Sequence, residues 1–444
     1  METSASTIID RRSVMKGAAA VGVVSAVTLG AADAAGASTV TLTAGSGHGV
    51  ANRAALQAAI NATAEGELLV VPDGTYEVDV SGGTITIPKS ITMIGAGATT
   101  LDVLPKTATT MNSLFTVPST VAKGHFRFES LTIEGPTTTS GGGSAIEWVR
   151  LGGVGSITAF QLKVTGQFQY GIRRSGVGLL ELVACQINAR GSAVQVQDNG
   201  SGAGPSRVVV AGCEITGKGA TIGSCGLDLH PHIALECAAT RFDTFDVVAI
   251  QVSANAPSSI PRWTVTDCEV IDAALAATGS GVPAVFNRVR QKVSPTMTNR
   301  EAPLRGPVTL LDCDLSGGWS FTVVAPSNPT IRFISTWLEP KGALLVGSSS
   351  PAHVVFDECT WRLAGSSMAA YLASSFTGVL RVRRSTIHDT GSSGTKVALY
   401  GGQATFTSST IDSPKANGGV SATSGVVTSP PTIVNTGTHP ASHL

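Results

Sequence analysis

A short motif recurs along the chain from about residue 124. Each copy is an alternating apolar and polar segment, a break of roughly two residues, and then a small, a polar and an apolar residue. The copies span 126–133, 180–187, 208–215, 263–270, 308–315, 354–361, 380–387 and 404–411. The small residues form one column at intervals of roughly 22 to 31 residues: Leu131, Leu162, Cys185, Cys213, Thr240, Cys268, Cys313, Ser335, Cys359, Ser385 and Ser409.

This period predicts an all-β fold, a single right-handed parallel β-helix of roughly a dozen coils. The period is too short for a propeller blade, and the spacing of Leu and Asn differs from that of leucine-rich repeats. Aromatic residues make up 5% of the chain, so the core is expected to consist of Val, Ile, Leu, Ala and Thr, which favour strands. The longer interval from Cys268 to Cys313 predicts an inserted loop of about 20 residues.

The chain has seven cysteines, and an odd number excludes complete disulfide pairing. Five of them lie in the column of small residues. We therefore expect an inward ladder of free thiols, since a free cysteine behaves as a small buried hydrophobe. A redox or metal role for this ladder is the disfavoured alternative.

The N-terminal segment has the pattern of a twin-arginine export signal. Arg11 and Arg12 are followed by Lys16, a weakly apolar run and small residues that offer cleavage after Ala34 or Ala37. We expect a signal peptide at 1–37, a β-helix at 38–414 and a polar tail at 415–444, in a periplasmic or extracellular protein. With 30 basic and 30 acidic residues, no nucleic-acid partner is expected, and no membrane attachment after signal removal.

Three motifs mark the start of the predicted β-helix. An amphipathic segment at 52–60, with Asn52 as its expected N-cap, precedes Val-Pro-Asp-Gly-Thr-Tyr at 71–76 and Ile-Gly-Ala-Gly at 94–97. This order resembles the entrance of the pectate-lyase-like superfamily. The resemblance covers about 45–411 and implies the β-helix with a capping helix at its N-terminal end. It says little about reaction, because that superfamily includes lyases, hydrolases, epimerases and non-catalytic adhesins.

The sequence departs from two well-defined groups of that superfamily. Polygalacturonases carry paired aspartates and a Gly-His-Gly motif in the groove, whereas this chain has Gly47-His48-Gly49 before the helix and no adjacent Asp-Asp. The clustered aspartates of calcium-dependent pectate lyases are also missing. Both assignments are disfavoured. The sequence predicts no specific metal ligands, and a divalent cation is left open as a cofactor.

A second column of strands carries the candidate site. Alternation predicts inward side chains at Ile146, Ile172, Val194, Leu227 and Ile250, and outward ones at Glu147, Arg173, Gln195, Asp228 and Gln251. Two residues further on, the column offers Arg174 or Ser175, Gln197 and His230. Later coils of the column are bland and apolar. This contrast favours a site for sugar hydroxyls and carboxylates, and a merely solvated face is the alternative.

The sharpest cluster is Asp228-Leu-His230-Pro-His232 at the end of a strand. A histidine can serve as general acid or base, so we assign candidate catalytic roles to Asp228, His230, His232 and Arg174. Candidate substrate-binding residues are Glu147, Arg150, Arg173, Gln195, Gln197, Asp198, Gln251, Arg288 and Arg290. Arg288 and Arg290 are expected on the inserted loop beside the groove. The alternative without a function is, for 228–232, a turn proline flanked by surface histidines. For the inserted loop it is an ordinary solvated loop.

These residues predict an exported carbohydrate-active protein that cleaves an acidic or partly acidic polysaccharide. Elimination is favoured over hydrolysis, since Arg and His outnumber paired carboxylates and only Asp198 and Asp228 make a good pair. The alternative is a non-catalytic polysaccharide-binding protein or a tailspike-like adhesin. The export signal and the polar C-terminal segment argue against a phage virion component.

Overall fold

The computed structural model describes residues 37–436 apart from 109–110, 140–141, 198–205, 218–224, 247, 253–261, 279–281, 295–299, 305, 317–318, 324–329, 341–344, 347–350, 365–366, 391–394 and 415–418. The predicted export signal lies outside the described residues. Every strand pairing of the described part is parallel, and the strands form a β-helix, which confirms the predicted fold class. Within this part no helix is long and apolar enough to cross a membrane.

Each coil contributes strands to three faces of the rod. Face 1 contains Ile85–Thr86, Phe115–Val117, the first parts of Ser144–Phe160 and Tyr170–Val183, Val194–Gln197, Cys225–Leu229, Val248–Val252, Ala274–Ala277, Arg300–Leu304, Trp319–Val323, Leu345–Val346, Ala370–Leu372, Val397–Leu399 and Val420–Ala422. Face 2 contains Ser38–Thr39, Leu68–Val71, Ile91–Gly95, Lys123–Glu129, the second parts of Ser144–Phe160 and Tyr170–Val183, Ser206–Ala211, Ile233–Ala238, Trp263–Thr266, Ala284–Asn287, Val308–Leu311, Thr330–Ile334, His353–Asp357, Val379–Arg383, Gln403–Thr407 and Val426–Thr428.

Face 3 is one 15-stranded sheet. It contains Thr75–Asp79, Thr100–Leu104, Thr132–Glu134, Lys163–Thr165, Gln186–Ala189, Glu214–Gly217, Arg241–Asp243, Glu269–Ile271, Arg290–Lys292, Asp314–Ser316, Trp337–Glu339, Thr360–Leu363, Thr386–Asp389, Thr410–Asp412 and Thr432–Val434. A separate pair, Thr107–Ala108 and Thr138–Thr139, lies between faces 3 and 1. The last coil, Val420–Val434, falls within the segment predicted as a polar tail, so the β-helix extends past residue 414.

The N-terminal helix runs from Gly49 to Ala62 and packs Leu56 and Ile60 into the core. Asn52 is not its N-cap, because the helix begins three residues earlier and His48 occupies the cap position. The buried Asn52 side chain instead donates to the carbonyls of Thr43 and Glu77 at 2.8 and 3.0 Å. It therefore ties the helix to the first coil, and the helix provides the expected cover for that end of the rod.

A left-handed residue forms the corner between faces 2 and 3 in most coils. These residues have φ between 45° and 58°: Ser130, Gln161, Ala184, Ala239, Asp267, Arg288, Asp312, Ser335, Glu358, Arg384 and Ser408. The next residue, which we call the rung, points into the core. The rungs are Leu131, Leu162, Cys185, Cys213, Thr240, Cys268, Val289, Cys313, Thr336, Cys359, Ser385 and Ser409, and all are buried. The column of small residues is thus confirmed except at Ser335, which is a corner while Thr336 is the rung.

The chemistry of the rungs explains why Cys, Ser and Thr recur there. The backbone N–H of a rung donates to the side chain of the next rung, as from Cys185 to Cys213 Sγ at 3.4 Å and from Cys213 to Thr240 Oγ1 at 3.4 Å. The same contact joins Cys359 to Ser385 Oγ at 3.0 Å. A sulfur or hydroxyl at the rung is therefore a hydrogen-bond acceptor for a buried amide.

The interval from Cys268 to Cys313 holds a complete additional coil and not an inserted loop. Val289 is its rung, because Arg290 N donates to Cys268 O at 2.9 Å and Asp314 N donates to Val289 O at 3.0 Å. Both distances are those of an ordinary hydrogen bond between strands. The coil was hidden from the repeat because Gln291 occupies the last position of the motif, where the other copies have an apolar residue. This changes the position of Arg288 and Arg290, as described below.

All seven cysteines are free and buried, which confirms the inward ladder predicted for the five in the column. Burial raises the pKa of the thiols of Cys225, Cys313 and Cys359 to about 12. Since all seven thiols are also buried in the core, out of reach of a reagent, we expect no reaction of the native protein with a thiol reagent at pH 8 and seven reactive thiols in denaturant. A Ser374→Cys variant, with the new thiol on an exposed turn, is the positive control. Fewer than seven thiols in denaturant would contradict the prediction.

Candidate functional site

Five outward side chains on face 1 lie in one line across five neighbouring coils. The strand register pairs Glu147 with Arg173, Arg173 with Gln195, Gln195 with Asp228, and Asp228 with Gln251. The residue before each of them is fully buried, as alternation predicts. We call these five residues the polar row.

The polar row is joined by hydrogen bonds along its whole length. Arg173 Nη1 lies 3.2 Å from Glu147 Oε1, and Arg173 Nε donates to Gln195 Oε1 at 3.0 Å. Gln195 Nε2 then donates to Asp228 Oδ2 at 2.9 Å, and Gln251 Nε2 donates to Asp228 Oδ1 at 3.2 Å. Register alone would only place these side chains side by side, so this continuous network is a separate property of the sequence.

Ser113 extends the row at its N-terminal end. Its hydroxyl donates to Glu147 Oε2 and its Oγ accepts the backbone N–H of Ser144 at 2.9 Å. Sequence reasoning missed Ser113, because it precedes the strand Phe115–Val117 and reaches Glu147 only when two coils stack. Tyr170 was also missed, and its ring lies 5.2 Å from Arg173 Cζ. A cation–π contact of this kind holds the guanidinium in place.

Asp228 lies at the most protected part of the row. Asp228 is 6% exposed and Gln195 is 8% exposed, although both side chains are on the outer side of their strands. Each carboxylate oxygen of Asp228 accepts one amide hydrogen and keeps lone-pair capacity for another donor. Asp228 is therefore a fixed hydrogen-bond acceptor, suited to a hydroxyl of a ligand.

A second line of polar side chains lies one outward position further along the same strands. Ser175 pairs in register with Gln197, and Ser175 Oγ lies 3.4 Å from Gln197 Oε1. His230 follows Leu229, and its backbone N donates to Val196 O at 3.0 Å, which places it beside Gln197. Asp228 and His230 are two residues apart, about 6.6 Å along the strand. His232 lies in the following turn and is partly exposed.

Arg174 does not belong to this outer surface, which corrects the expectation that it is a catalytic cation. Its register partners Trp148 and Val196 are core residues, and Arg174 itself is 0% exposed. Its guanidinium lies 5.5 Å from the Trp148 ring and donates to Gly155 O at 2.9 Å. Strand alternation already gave this inward phase, since Arg174 directly follows the outward Arg173.

Arg288 and Arg290 also lie away from face 1, contrary to expectation. The strand Ala284–Asn287 pairs with Trp263–Thr266 on face 2. Arg288 is the next corner residue, and its guanidinium donates to both carboxylate oxygens of Asp267 at 2.6 and 2.8 Å. Arg290 opens a face 3 strand beside Asp314. Both arginines therefore belong to ion pairs on another side of the rod.

Two predicted binding residues remain untested by the structure. Asp198 lies outside the described residues, as does the side chain of Arg150. The pair Asp198 and Asp228 is thus still a hypothesis. In the described part of the chain, no three His, Cys, Asp or Glu side chains converge in a way that could hold a metal ion.

Comparison with known proteins finds structures but no family. No family model matches the chain, and no curated protein matches its sequence. A GH87 α-1,3-glucanase catalytic unit from Streptomyces thermodiastaticus matches 90% of this chain and 70% of its own length, with 14% identity and a TM-score of 0.45. The A-module of the mannuronan C-5 epimerase AlgE4 from Azotobacter vinelandii matches 87% and 96%, with 12% identity and a TM-score of 0.31.

A family 28 exopolygalacturonase from Yersinia enterocolitica matches 89% of this chain and 78% of its own length, with 11% identity and a TM-score of 0.32. All three likenesses lie below a TM-score of 0.5. The activity of none of these proteins is therefore carried over to this chain, and its site is argued from its own residues.

Proposed function

We propose that this chain is an exported carbohydrate-active protein that binds a polysaccharide along face 1 and cleaves it beside Asp228 and His230. The polar row carries the proposal. It offers acceptors at Glu147 and Asp228, amides at Gln195 and Gln251, and a cation at Arg173, all in one line. Hydroxyl groups of sugars need such alternating donors and acceptors. A linear polymer parallel to the rod axis could contact every coil of the row.

Elimination is the form of cleavage that this set of residues supports best. In that reaction a base takes the proton on the carbon beside a uronate carboxylate, a double bond forms to the next carbon, and the bond to the leaving sugar oxygen breaks. The leaving oxygen then receives a proton. His230 would act as the base, Arg173 would bind the uronate carboxylate and Asp228 would hold a hydroxyl. Hydrolysis by Asp198 and Asp228 is the other mechanism.

The electrostatics of the row favour a partly acidic polymer over a uniformly acidic one. The row has two carboxylates and one guanidinium, and that guanidinium is already paired with Glu147. Arg174, Arg288 and Arg290 add no positive charge to the outer side of face 1, as described above. Arg173 still has donors for a bound carboxylate, since a guanidinium carries five N–H groups and two are used here.

The test is a panel of polysaccharides that includes polygalacturonate, alginate, hyaluronate and neutral xylan. Ultraviolet absorbance reports unsaturated ends from elimination, and a reducing-sugar assay reports either type of cleavage. Absorbance that rises with reducing ends supports elimination, and reducing ends alone support hydrolysis. Binding without cleavage would leave the adhesin as the function. Neither binding nor cleavage of any polymer would refute the proposal.

Export by the twin-arginine pathway is part of the proposal. Replacing Arg11 and Arg12 together with lysine is expected to keep the precursor in the cytoplasm of a bacterial host, because the paired arginines are what that pathway recognises. Cell fractionation and N-terminal sequencing measure this, and the exported form should begin after Ala34 or Ala37. A matched control replaces Lys89, far from the signal, with arginine. Export of the twin-lysine variant at the wild-type level would contradict the twin-arginine route.

A further inference from the structure

Two tyrosines lie together on face 1 in the late coils, where the sequence suggested only a bland apolar surface. In the strand Ala370–Leu372, Ala370 and Leu372 are buried while Tyr371 points outward. Tyr400 follows the strand Val397–Leu399, and its backbone N donates to Leu372 O at 2.9 Å. The two ring centroids are 5.4 Å apart, with the ring planes inclined at 45°. The rings form one aromatic surface across two coils.

This aromatic surface is open to solvent. Tyr400 is 40% exposed. The register places buried Ala398 opposite Tyr371 and exposed Ser421 beyond it. Tyr371 is partly exposed, so both rings present surface to solvent. Of the four tyrosines in the chain, Tyr76 shows the contrasting case, since it is buried and its hydroxyl donates to Asp73 O at 2.8 Å.

The tyrosine pair and the polar row lie on the same face at a defined separation. Five coils lead from the strand of Gln251 to that of Tyr371, through Ala274–Ala277, Arg300–Leu304, Trp319–Val323 and Leu345–Val346. At about 4.8 Å per coil the separation is about 24 Å along the rod. Several sugar rings of a linear chain fit into this distance. A mono- or disaccharide in the polar row cannot reach the tyrosines.

We propose that Tyr371 and Tyr400 form a distal subsite that stacks on the rings of the polysaccharide held by the polar row. One side of many pyranose rings presents C–H groups, and an aromatic ring can cover that side while the sugar hydroxyls stay in water. This subsite selects long polymers over short oligosaccharides, because only a polymer occupies both places at once. The inference rests on the proposed function and adds chain-length selectivity to it.

The experiment compares binding of a polymer and of a short oligosaccharide from the same source. The probe is the panel polysaccharide that the wild-type chain binds most tightly, together with its trisaccharide. Replacing both Tyr371 and Tyr400 with alanine is expected to weaken polymer binding about tenfold and to lower the ratio of polymer to trisaccharide affinity by the same factor. If the polymer is cleaved, binding is measured in the His230→Ala background.

Two further variants make the result specific. Tyr371→Phe with Tyr400→Phe keeps both rings and should retain polymer affinity, whereas Arg381→Ala, exposed on face 2, should change nothing. An unchanged affinity ratio in the double alanine variant, in a protein whose wild type binds the polymer, overturns the subsite while leaving the proposed function standing. The subsite is also overturned if sedimentation shows that the double alanine variant has a different oligomeric state from the wild type, since the tyrosines would then join two copies of the chain. If the wild type binds no polysaccharide, the proposed function itself fails.

Discussion

Asparagine in place of Asp228 is expected to lower kcat/KM on the cleaved polysaccharide about 10²- to 10⁴-fold. The substitution keeps the shape of the side chain but replaces one acceptor oxygen with an NH₂ group. That group faces the amide hydrogens of either Gln195 or Gln251, whose side chains each donate to one carboxylate oxygen of Asp228 in the wild type. One of the two hydrogen bonds that Asp228 accepts within the polar row is therefore lost, together with an acceptor for the substrate hydroxyl. Reducing-end and absorbance assays on purified protein measure the effect.

The matched control is Asp243→Asn. Asp243 lies on face 3, where it pairs with Arg241 at 2.7 Å, so its substitution should leave activity within about twofold of wild type, as expected for a partly exposed ion pair. His230→Ala should cause a loss comparable to that of Asp228→Asn if His230 is the base. Full activity in both the Asp228 and the His230 variants would show that the site lies elsewhere.

A second large effect is expected from the buried ion pair near the C-terminal end of the rod. Lys396 Nζ lies 3.2 Å from Asp389 Oδ1, and both side chains are 0% exposed. Ser413 Oγ donates to the other carboxylate oxygen at 2.9 Å. Replacing Asp389 with alanine leaves an ammonium group in the core. We expect a loss of about 3 to 5 kcal/mol in the free energy of unfolding, measured by urea denaturation.

The double variant Asp389→Leu with Lys396→Met separates charge burial from packing. It removes both charges and keeps most of the volume, so it should lose far less stability than Asp389→Ala alone. Lys106→Met is the control for removing a surface cation, because Lys106 is a partly exposed partner of Glu134 at 3.6 Å. A loss below about 1 kcal/mol in Asp389→Ala, the range of surface pairs, would contradict the expectation.

Sequence periodicity was sufficient to predict the fold class and to predict which side chains of the early face 1 strands point inward and which point outward. The alternation of Ile172 and Arg173, or of Leu227 and Asp228, requires only that side chains of a strand point to opposite sides. The repeat also located most rungs. It missed the coil of Val289, whose strands pair like those of the other coils but whose motif ends in Gln291 instead of an apolar residue.

The contacts between coils could not be predicted from spacing. Ser113 and Glu147 are distant in sequence, and their hydrogen bond depends on how two coils stack. The positions of Arg288 and Arg290 were also missed, because the coil that carries them was interpreted as an inserted loop beside the groove. A single error in coil counting thus displaced two arginines and overstated the positive charge of the site.

The hydrogen bonds of the rungs give the rod a direction. In each observed case the amide of one rung donates to the side chain of the following coil, as from Ser385 to Ser409 Oγ at 3.4 Å, so every such coil depends on its C-terminal neighbour for an acceptor. Truncation from the two ends should therefore be unequal. Loss of a coil from the N-terminal side removes the donor amide of such a hydrogen bond, and the acceptor side chain stays on the rod. Loss of a coil from the C-terminal side removes the acceptor, and the amide of the preceding rung is left without its partner. This difference concerns the rungs alone, since removal of the first coils also takes away the helix that covers the N-terminal end of the rod.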